Sequence, residues 1–285
     1  MTDAAAPGPA EAEADADADE PDWLVANREA WDDLARLHAT SRFYDLAGLV
    51  AGEHPELRPW EIDEMGPVDG CDLLHLQCHI GTDTVVLARR GARTVGLDFS
   101  ADALAVAKQL GRECGLAMEW VRSDVYAADE VLEGRDFDVV YTGFGALGWL
   151  PDLDPWAEVV ANLLRPGGRL YVAEIHPMWV ALVEDGRTLC QDAIDADLVS
   201  YDEDGSYADR GAHIDHTVTY ERLHSTGDLL TAVLDAGLTI EMYHEQDVTP
   251  APSDWMERHD DGLYHFPDGT FRFPVAYSLL ARRPA

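Results

Sequence analysis

The residues most able to do chemistry begin where a short apolar run meets a tight turn. Residues 73–84 read Leu-Leu-His-Leu-Gln-Cys-His-Ile-Gly-Thr-Asp-Thr, and a helical pattern starts at once. A strand, a turn and a helix in this order form the place where an α/β sheet binds a nucleotide-like ligand. Only Gly81 remains where such turns usually carry two or three glycines. The stretch therefore predicts a ligand site built on an unusual turn.

A carboxylate follows at the end of the next apolar run. Residues 94–97 read Thr-Val-Gly-Leu, and Asp98 comes next, seventeen residues after Gly81. An acid in this place suits a ribose, because its oxygens accept hydrogen bonds from both ribose hydroxyls. A pyrophosphate requires close backbone approach, and the side chains of Gln77 and His79 would crowd it. The turn therefore argues against a nicotinamide dehydrogenase.

Several histidines and cysteines are of residue types that catalyse reactions or bind metals in other proteins. His176 follows the fifth predicted strand at its carboxyl end, where it is either a general base or a loop histidine with local hydrogen bonds. His213 and His216 fall on a predicted strand, and a spacing of three places their side chains on opposite faces. Cys78 and His79 have no C-x-x-C partner. We therefore predict no metal site.

Alternating strands and helices position these residues. Short apolar runs predict strands over residues 72–76, 94–97, 118–122, 137–142 and 169–173. Helices are predicted over residues 82–90, 101–114 with Ser100 as N-cap, 128–132 and 155–164. A helix over 227–236 and strands over 238–244 and 273–281 follow. The pattern predicts an α/β fold with a parallel, doubly wound sheet.

The chain divides into four parts by composition. Residues 1–20 contain no large apolar side chain, and we expect a disordered acidic tail. Residues 21–69 predict an N-terminal helical lid followed by a polar connection over 53–70. The main domain covers residues 70–285. Within it, residues 175–225 break the alternation, and an alternating strand over 213–220 predicts an antiparallel cap over the carboxyl edge of the sheet.

The charge balance limits the partners of the protein. The sequence holds 55 acidic and 20 basic residues, which gives a net charge of −35. Such a surface repels phosphate backbones, so we exclude nucleic acids and anionic membranes as partners. A large anionic substrate is disfavoured unless the site is locally basic. Four cysteines without framework spacing and the lack of a long apolar run favour a cytoplasmic protein.

Five motifs together resemble one enzyme family. They cover residues 75–84, 96–100 (Gly-Leu-Asp-Phe-Ser), 123–126 (Ser-Asp-Val-Tyr), 141–151 and 164–168 (Leu-Arg-Pro-Gly-Gly). In this order they resemble class I S-adenosylmethionine-dependent methyltransferases over about residues 70–175, in particular a bacterial subfamily whose first motif reads His-Leu-Gln-Cys-His. The resemblance implies a Rossmann-like, seven-stranded, mostly parallel sheet with an antiparallel last strand. It also implies S-adenosylmethionine as cofactor and S-adenosylhomocysteine as product.

The resemblance implies roles for single residues. Asp98 would hold the ribose hydroxyls and Asp124 the adenine amino group, while Gln77 offers a donor and an acceptor to the methionine zwitterion. His75 stands where the family carries an acid at the end of the first strand, which leaves the partner of the methionine ammonium open. The implied cofactor contacts are His75, Gln77, Cys78, Gly81, Asp98, Phe99, Ser100, Ser123, Asp124, Val125, Thr142 and Gly143. Apart from the resemblance, Tyr44 of the lid either packs onto the sheet edge or reaches the cofactor from above.

The expected activity is methyl transfer to an oxygen or nitrogen of a small molecule, with a place in secondary metabolism. Phe144, Trp149 and Trp179 could line an apolar substrate pocket or pack in the core. Methyl transfer depends mainly on alignment, so the lack of a catalytic triad is no objection. The alternative is a catalytically inactive protein that still binds S-adenosylmethionine. The sequence leaves a monomer and a homodimer equally open.

Overall fold

A computed structural model of the chain describes residues 20–53, 57–182 and 188–285. Its helices are α1 Asp22–His38, α2 Leu46–Ala51, α3 Pro59–Met65, α4 Thr82–Arg89, α5 Ala101–Glu113, α6 Ala128–Val131, α7 Asp154–Leu163, α8 Pro177–Val180 and α9 Thr226–Asp235. Its strands are β1 Asp72–Leu76, β2 Arg93–Asp98, β3 Glu119–Arg122, β4 Phe137–Thr142, β5 Leu164–Ile175, β6 Val199–Asp202, β7 Val218–Glu221, β8 Thr239–Gln246, β9 Val248–Thr249, β10 Glu257–Arg258, β11 Tyr264–His265 and β12 Ala276–Arg282.

Seven strands form the central sheet in the order β3-β2-β1-β4-β5-β12-β8. The first five run parallel, and β12 pairs antiparallel with both β5 and β8. This confirms the predicted Rossmann-like sheet with its antiparallel last strand. Because β1 lies between β2 and β4, the carboxyl ends of these three strands are neighbours. The ligand site of an open α/β sheet is expected at this edge.

Both faces of the sheet are covered, as the run of apolar residues along each parallel strand requires. Val140 on β4 packs into the layer that contains α7 and α9, with Trp156 of α7 fully buried. Its neighbours Val139 and Tyr141 point to the opposite layer, which contains α3 and α4. The alternation follows from the two-residue period of a strand. The fixed sheet holds the loops at its carboxyl edge in place.

The structure differs from the prediction in three places. The predicted connection over residues 53–70 contains helix α3, which starts with Pro59 in its first turn. Strand β5 is longer than the predicted 169–173 because it also includes the Leu-Arg-Pro-Gly-Gly segment. Only Val218–Glu221 of the predicted strand over 213–220 is a strand, because Asp33 bonds the backbone before it. The predicted tail, apart from Glu20, lies outside the described residues.

Helix α1 and the hairpin β6–β7 form a layer of their own beside the sheet edge. The two strands of the hairpin pair antiparallel, as predicted for the cap. Asn27 of α1 donates to the carbonyl of Tyr220 at 2.9 Å and accepts from its amide at 2.7 Å. The side-chain amide of Asn27 thus pairs with the backbone of β7 in the way that the backbone of an adjacent strand would. Within the described parts of the chain, none of the helices is both long and apolar enough to cross a membrane.

Candidate functional site

The turn after β1 has the backbone shape of a glycine-rich turn without the glycines. Gln77 and His79 have φ values of 52° and 51°, and Gly81 has 79°. The left-handed region is disfavoured for residues with a Cβ atom by about 1–2 kcal/mol each. Gly81 cannot be replaced without strain, since an added Cβ would lie 2.5 Å from the Trp120 ring. The turn therefore keeps its shape through contacts that outweigh the strain.

Asp98 is one of the groups that hold the turn. Its carboxylate accepts the backbone amide of His79 at 2.7 Å and that of Ser100 at 2.9 Å. The side chain is 6% exposed, and this burial raises the pKa of Asp98 to about 6. A carboxylate has about four acceptor positions, so the amides of the turn leave part of its capacity for a ligand. The assignment of Asp98 to a ribose stays a prediction that this position allows.

The next strand end brings the predicted adenine contacts to the same edge. The Ser123 amide donates to the carbonyl of Asp98 at 3.1 Å, which joins β2 and β3. The Asp124 carboxylate accepts from the amide of Tyr126 at 3.2 Å, and burial raises its pKa. Val125 is buried and Phe99 is half-buried beside them. The fold thus gathers these residues, and their contacts with adenine stay a prediction.

Glu174 fixes the loop that follows β4, a role that the sequence did not indicate. Its carboxylate accepts the amides of Gly145 at 2.6 Å and of Ala146 and Leu147 at 2.9 Å. Burial raises the pKa of Glu174, while these amides favour its charged form. Gln77 ties the same loop to the first turn by donating to the carbonyl of Ala146 at 2.9 Å. The two loops that flank the site are therefore joined.

Helix α1 covers the turn with aromatic side chains. The ring of Trp31 stands edge-on to those of His79 and Trp149, with centroids 5.0 Å apart in each pair. His38 Nδ1 lies 2.8 Å from His79 Nε2, and burial lowers the pKa of His38 to about 4. Tyr44 lies 5.5 Å from the His79 ring. The lid thus lies over the turn with Trp31, His38 and Tyr44, and contact of Tyr44 with the cofactor stays a prediction.

The segment between β6 and β7 closes over the lid. Ser206 Oγ lies 2.7 Å from His38 Nε2, and the hydroxyl of Tyr207 hydrogen bonds that of Tyr44. Asp33 accepts the amides of Asp215 at 2.9 Å and His216 at 2.8 Å. The only sign of these contacts in the sequence was that Asp33 is a polar residue on the buried face of α1. The sequence did not reveal its partners, since they lie far along the chain.

His75 is a core histidine at the end of β1. It is buried, its Nδ1 lies 2.7 Å from Thr84 Oγ1, and its ring stands edge-on to Tyr141. Burial lowers its pKa to about 4, so the ring is neutral near pH 7. Cys78 is buried as well, and its thiol points to the carbonyl of His79. Both side chains support the turn from below.

His176 makes a structural contact. Its Nδ1 accepts from the amide of Met178 at 3.1 Å, which caps helix α8. Its Nε2 lies 3.4 Å from Glu245 Oε1. Because Nδ1 is used as an acceptor, the proton of the neutral ring sits on Nε2. The predicted role as general base therefore requires the ring to exchange these contacts.

A cavity of about 880 Å³ opens beside the first turn of α4. Thr82 and Asp83 of α4 line it together with Tyr44. Charged side chains of both signs contribute to its wall; these are Arg42, Arg58, Arg90, Arg258, Asp63, Asp83 and Asp261. The apolar part of the wall comes from side chains such as Phe43 and Leu263. A small molecule with polar groups of both signs would fit such a lining.

The three aromatic residues predicted for a substrate pocket do not line this cavity. Phe144 lies behind it, with the Arg58 guanidinium 4.5 Å from its ring centroid. Trp149 packs against Trp31, and Trp179 is half-buried on α8. Their contacts favour packing roles. The cavity wall comes instead from the lid, from α3 and α4, and from the loops around β9–β11.

Comparison with known proteins agrees with this geometry. The sequence profile of the methyltransferase domain family matches residues 74–170. This segment of the chain is therefore similar to a methyltransferase domain. Solved structures of similar fold include an S-adenosylmethionine-dependent methyltransferase from Mesorhizobium loti (TM-score 0.56, 21% identity, 79% of this chain and 96% of that one) and the CcbJ methyltransferase from Streptomyces caelestis (TM-score 0.56, 17% identity, 91% and 99%). At 17–21% identity, the likeness to these structures shows a shared fold.

Two curated proteins with sequence similarity to this chain have the same name. The ubiquinone biosynthesis O-methyltransferase of Aeromonas salmonicida is 28% identical over 148 residues, which cover 50% of this chain and 61% of that protein. The protein of the same name from Brucella anthropi is 26% identical over 219 residues, covering 77% and 75%. The chain thus spans only about three fifths of the length of the first of them.

Proposed function

We propose that the protein transfers the methyl group of S-adenosylmethionine to an oxygen of a small molecule, in secondary metabolism. The observation that carries the proposal is the position of the 880 Å³ cavity, which opens at Thr82 and Asp83, directly after the turn that follows β1. A substrate in this cavity would lie beside the predicted cofactor edge. The O-methyltransferase name of the relatives supports oxygen as the acceptor atom.

The residues at the edge fit the cofactor. Gln77 Oε1 is buried and has no hydrogen-bond partner among the described residues, so an acceptor is available beside the turn. Gly143 lies in a narrow space, where an added Cβ would come within 3.3 Å of Tyr141 Oη. A side chain there would reduce the room next to the predicted sulfonium position. Gln77, Asp98 and Asp124 would hold the zwitterion, the ribose and the adenine.

The bound cofactor supplies an electrophilic methyl group on a positively charged sulfur. The protein contributes alignment, since orientation of two reactants alone is worth large rate factors. Glu174 and Gln77 hold the loop after β4 in one position relative to the turn, and Trp31 and Tyr44 cover the turn from the lid. The covered edge keeps water away from the reacting atoms.

Calorimetry followed by product detection tests the proposal. The full-length protein is titrated with S-adenosylmethionine and S-adenosylhomocysteine, and is then incubated with sets of phenols, alcohols, amines and carboxylic acids. Mass spectrometry detects methylated products, and we expect them for hydroxyl compounds. Binding of neither cofactor form contradicts the proposal. Binding without transfer to any compound class would instead favour the inactive cofactor-binding protein.

A further inference from the structure

The end of β1 carries no acid that could hold the ammonium group of the methionine part. A methionine ammonium is best held by a negative charge close to the turn. His75 occupies the position of that acid, but it is buried and neutral, and its Nδ1 is engaged by Thr84 Oγ1 at 2.7 Å. His75 therefore supplies no negative charge. The negative charge therefore has to come from another carboxylate at the same edge.

A carboxylate without full charge compensation lies on the first turn of α4. Arg58 and Glu61 of the α3 region form an ion pair, with Arg58 Nη2 also 2.8 Å from Glu61 Oε1. Asp83 is further away, with its Oδ2 3.7 Å from Arg58 Nη2. Tyr141 donates to Glu61 at 3.0 Å or to Asp83 at 3.3 Å. This group contains two carboxylates and one guanidinium, so it has one negative charge in excess.

The position of Asp83 joins the cavity to the end of β4. Its side chain is 27% exposed and lines the cavity. Its Oδ2 would lie 3.4 Å from a Cβ at Gly143, so it reaches the backbone next to the predicted sulfonium position. Glu61 is fully buried and cannot serve a ligand in the same way. Among the carboxylates of this group, Asp83 is thus the one open to a ligand.

Positively charged side chains line the same cavity as Asp83. Arg42 and Arg258 line it and make no ion pair with the residues that the structure describes. In a protein of net charge −35, arginines left without an acidic partner are unexpected. A zwitterion in this cavity would thus find a carboxylate on α4 and two guanidinium groups in the same wall.

We propose that Asp83 accepts the ammonium group of the methionine part of the cofactor, in place of the acid that the end of the first strand usually supplies. The proposal rests on the proposed function, because it requires the cofactor to bind at this edge. It gives His75 a structural role and moves the negative charge from the strand to the helix that follows it. The methionine end then lies between Asp83 and the turn at Gln77.

The test compares ligands with and without the ammonium group by calorimetry. S-adenosylhomocysteine carries it, and 5′-S-(3-carboxypropyl)-5′-thioadenosine is the same molecule without it. We expect Asp83→Asn to weaken S-adenosylhomocysteine by about tenfold to a hundredfold, the range for a hydrogen bond between charged groups. The ligand without the ammonium should bind both forms equally. Asp83→Glu, which keeps the charge, should restore most of the preference.

The control variant is Asp235→Asn, because Asp235 is an exposed carboxylate at the end of α9, away from this cavity. It should leave both affinities within about twofold, a difference of less than 0.5 kcal/mol. Thermal unfolding of each variant verifies that the fold is kept. An equal loss for both ligands in Asp83→Asn, or no loss for either, overturns the assignment of Asp83. If the wild-type protein binds neither ligand, the proposed function itself fails, so the two failures are distinguishable.

Discussion

Asp98 at the end of β2 and Glu174 near the end of β5 lie at the carboxyl edge of the same sheet, and each uses its carboxylate to hold backbone amides. Asp98 bonds the turn after β1, and Glu174 bonds the loop after β4. Such bonds fix a loop more firmly than a neutral acceptor would, because hydrogen bonds to a charged group are stronger. The single residues at this edge therefore set the shape of the site before they touch a ligand.

Asp98 should make cofactor binding depend on pH. Burial raises its pKa to about 6, so the carboxylate that ribose hydroxyls prefer is lost below that pH. We expect S-adenosylhomocysteine to bind more weakly as the pH falls from about 7.5 to about 5. Asp98→Asn should weaken binding by about 1–3 kcal/mol at neutral pH and remove this dependence. Calorimetry across the pH range measures both effects.

An unchanged dissociation constant in Asp98→Asn would contradict the ribose assignment. The contribution of Asp98 to the stability of the fold changes with pH in the direction opposite to that of the affinity. The folded state holds the Asp98 proton more tightly than the unfolded chain does, so its contribution to stability decreases as the pH rises through about 6. A rise in affinity together with a fall in stability over the same pH range would point to this one carboxyl group.

His176→Asn separates the predicted base from the observed helix cap. Asparagine is itself a good N-cap residue, so the contact with Met178 can be kept while the imidazole is lost. If His176 acts as a general base, turnover should fall by about a hundredfold or more. The affinity for S-adenosylhomocysteine and the unfolding temperature should stay near those of the wild type. Full turnover would leave His176 with its structural contact alone.

Among the elements, those with local signals were predictable. Strands β1 and β4 have the predicted bounds, since each is a short, mainly apolar run that ends in a turn. Helix α3 was missed because the prolines around it suggested a connection. Pro59 in fact occupies the first turn, where its missing N–H leaves no bond unmade, and Glu61 accepts the amide of Arg58.

The site was predictable only where its residues follow strands in the chain. Asp98 and Asp124 could be placed at one edge from the strand order alone. The contacts of Asp83 with Arg58 and Tyr141 depend on how α3 packs against α4, and no periodicity reports that packing. The same holds for Asn27 and Asp33, whose partners are more than 180 residues away along the chain.

The joint between α1 and the hairpin β6–β7 should loosen when its acid is removed. Asp33 accepts two backbone amides and the ring of His216, and it is buried. We expect Asp33→Ala to cost about 1.5–3 kcal/mol, the range for hydrogen bonds to a charged group. Hydrogen exchange should become faster at residues 213–221. Asp22→Ala, at the exposed start of α1, serves as control, and equal exchange in both variants would contradict the role of Asp33.

For the whole molecule, the net charge of −35 is the dominant property. Like charges repel one another across the folded surface, and the repulsion is larger in the compact state than in the unfolded chain. The ion pairs are mostly at the surface, where their individual contributions are small. The favourable packing of the fold therefore has to outweigh this electrostatic repulsion.

Salt should stabilise the protein by screening this repulsion. Raising potassium chloride from about 0.05 M to about 1 M shortens the Debye length from above 10 Å to about 3 Å. We expect the unfolding temperature to rise by several degrees over this range. Sorbitol at equal osmolality is the control for effects that do not depend on charge. An unfolding temperature that falls with salt would show that surface ion pairs outweigh the repulsion.

The left-handed residues of the first turn have a consequence for the thermodynamics of binding. A glycine-rich turn samples many backbone conformations before a ligand arrives, and binding has to remove that freedom. Gln77 and His79 have Cβ atoms and contacts on both sides, so this turn is already confined in the free protein. The protein thus carries some strain in its folded state, and we expect a smaller loss of entropy when a ligand binds at this turn.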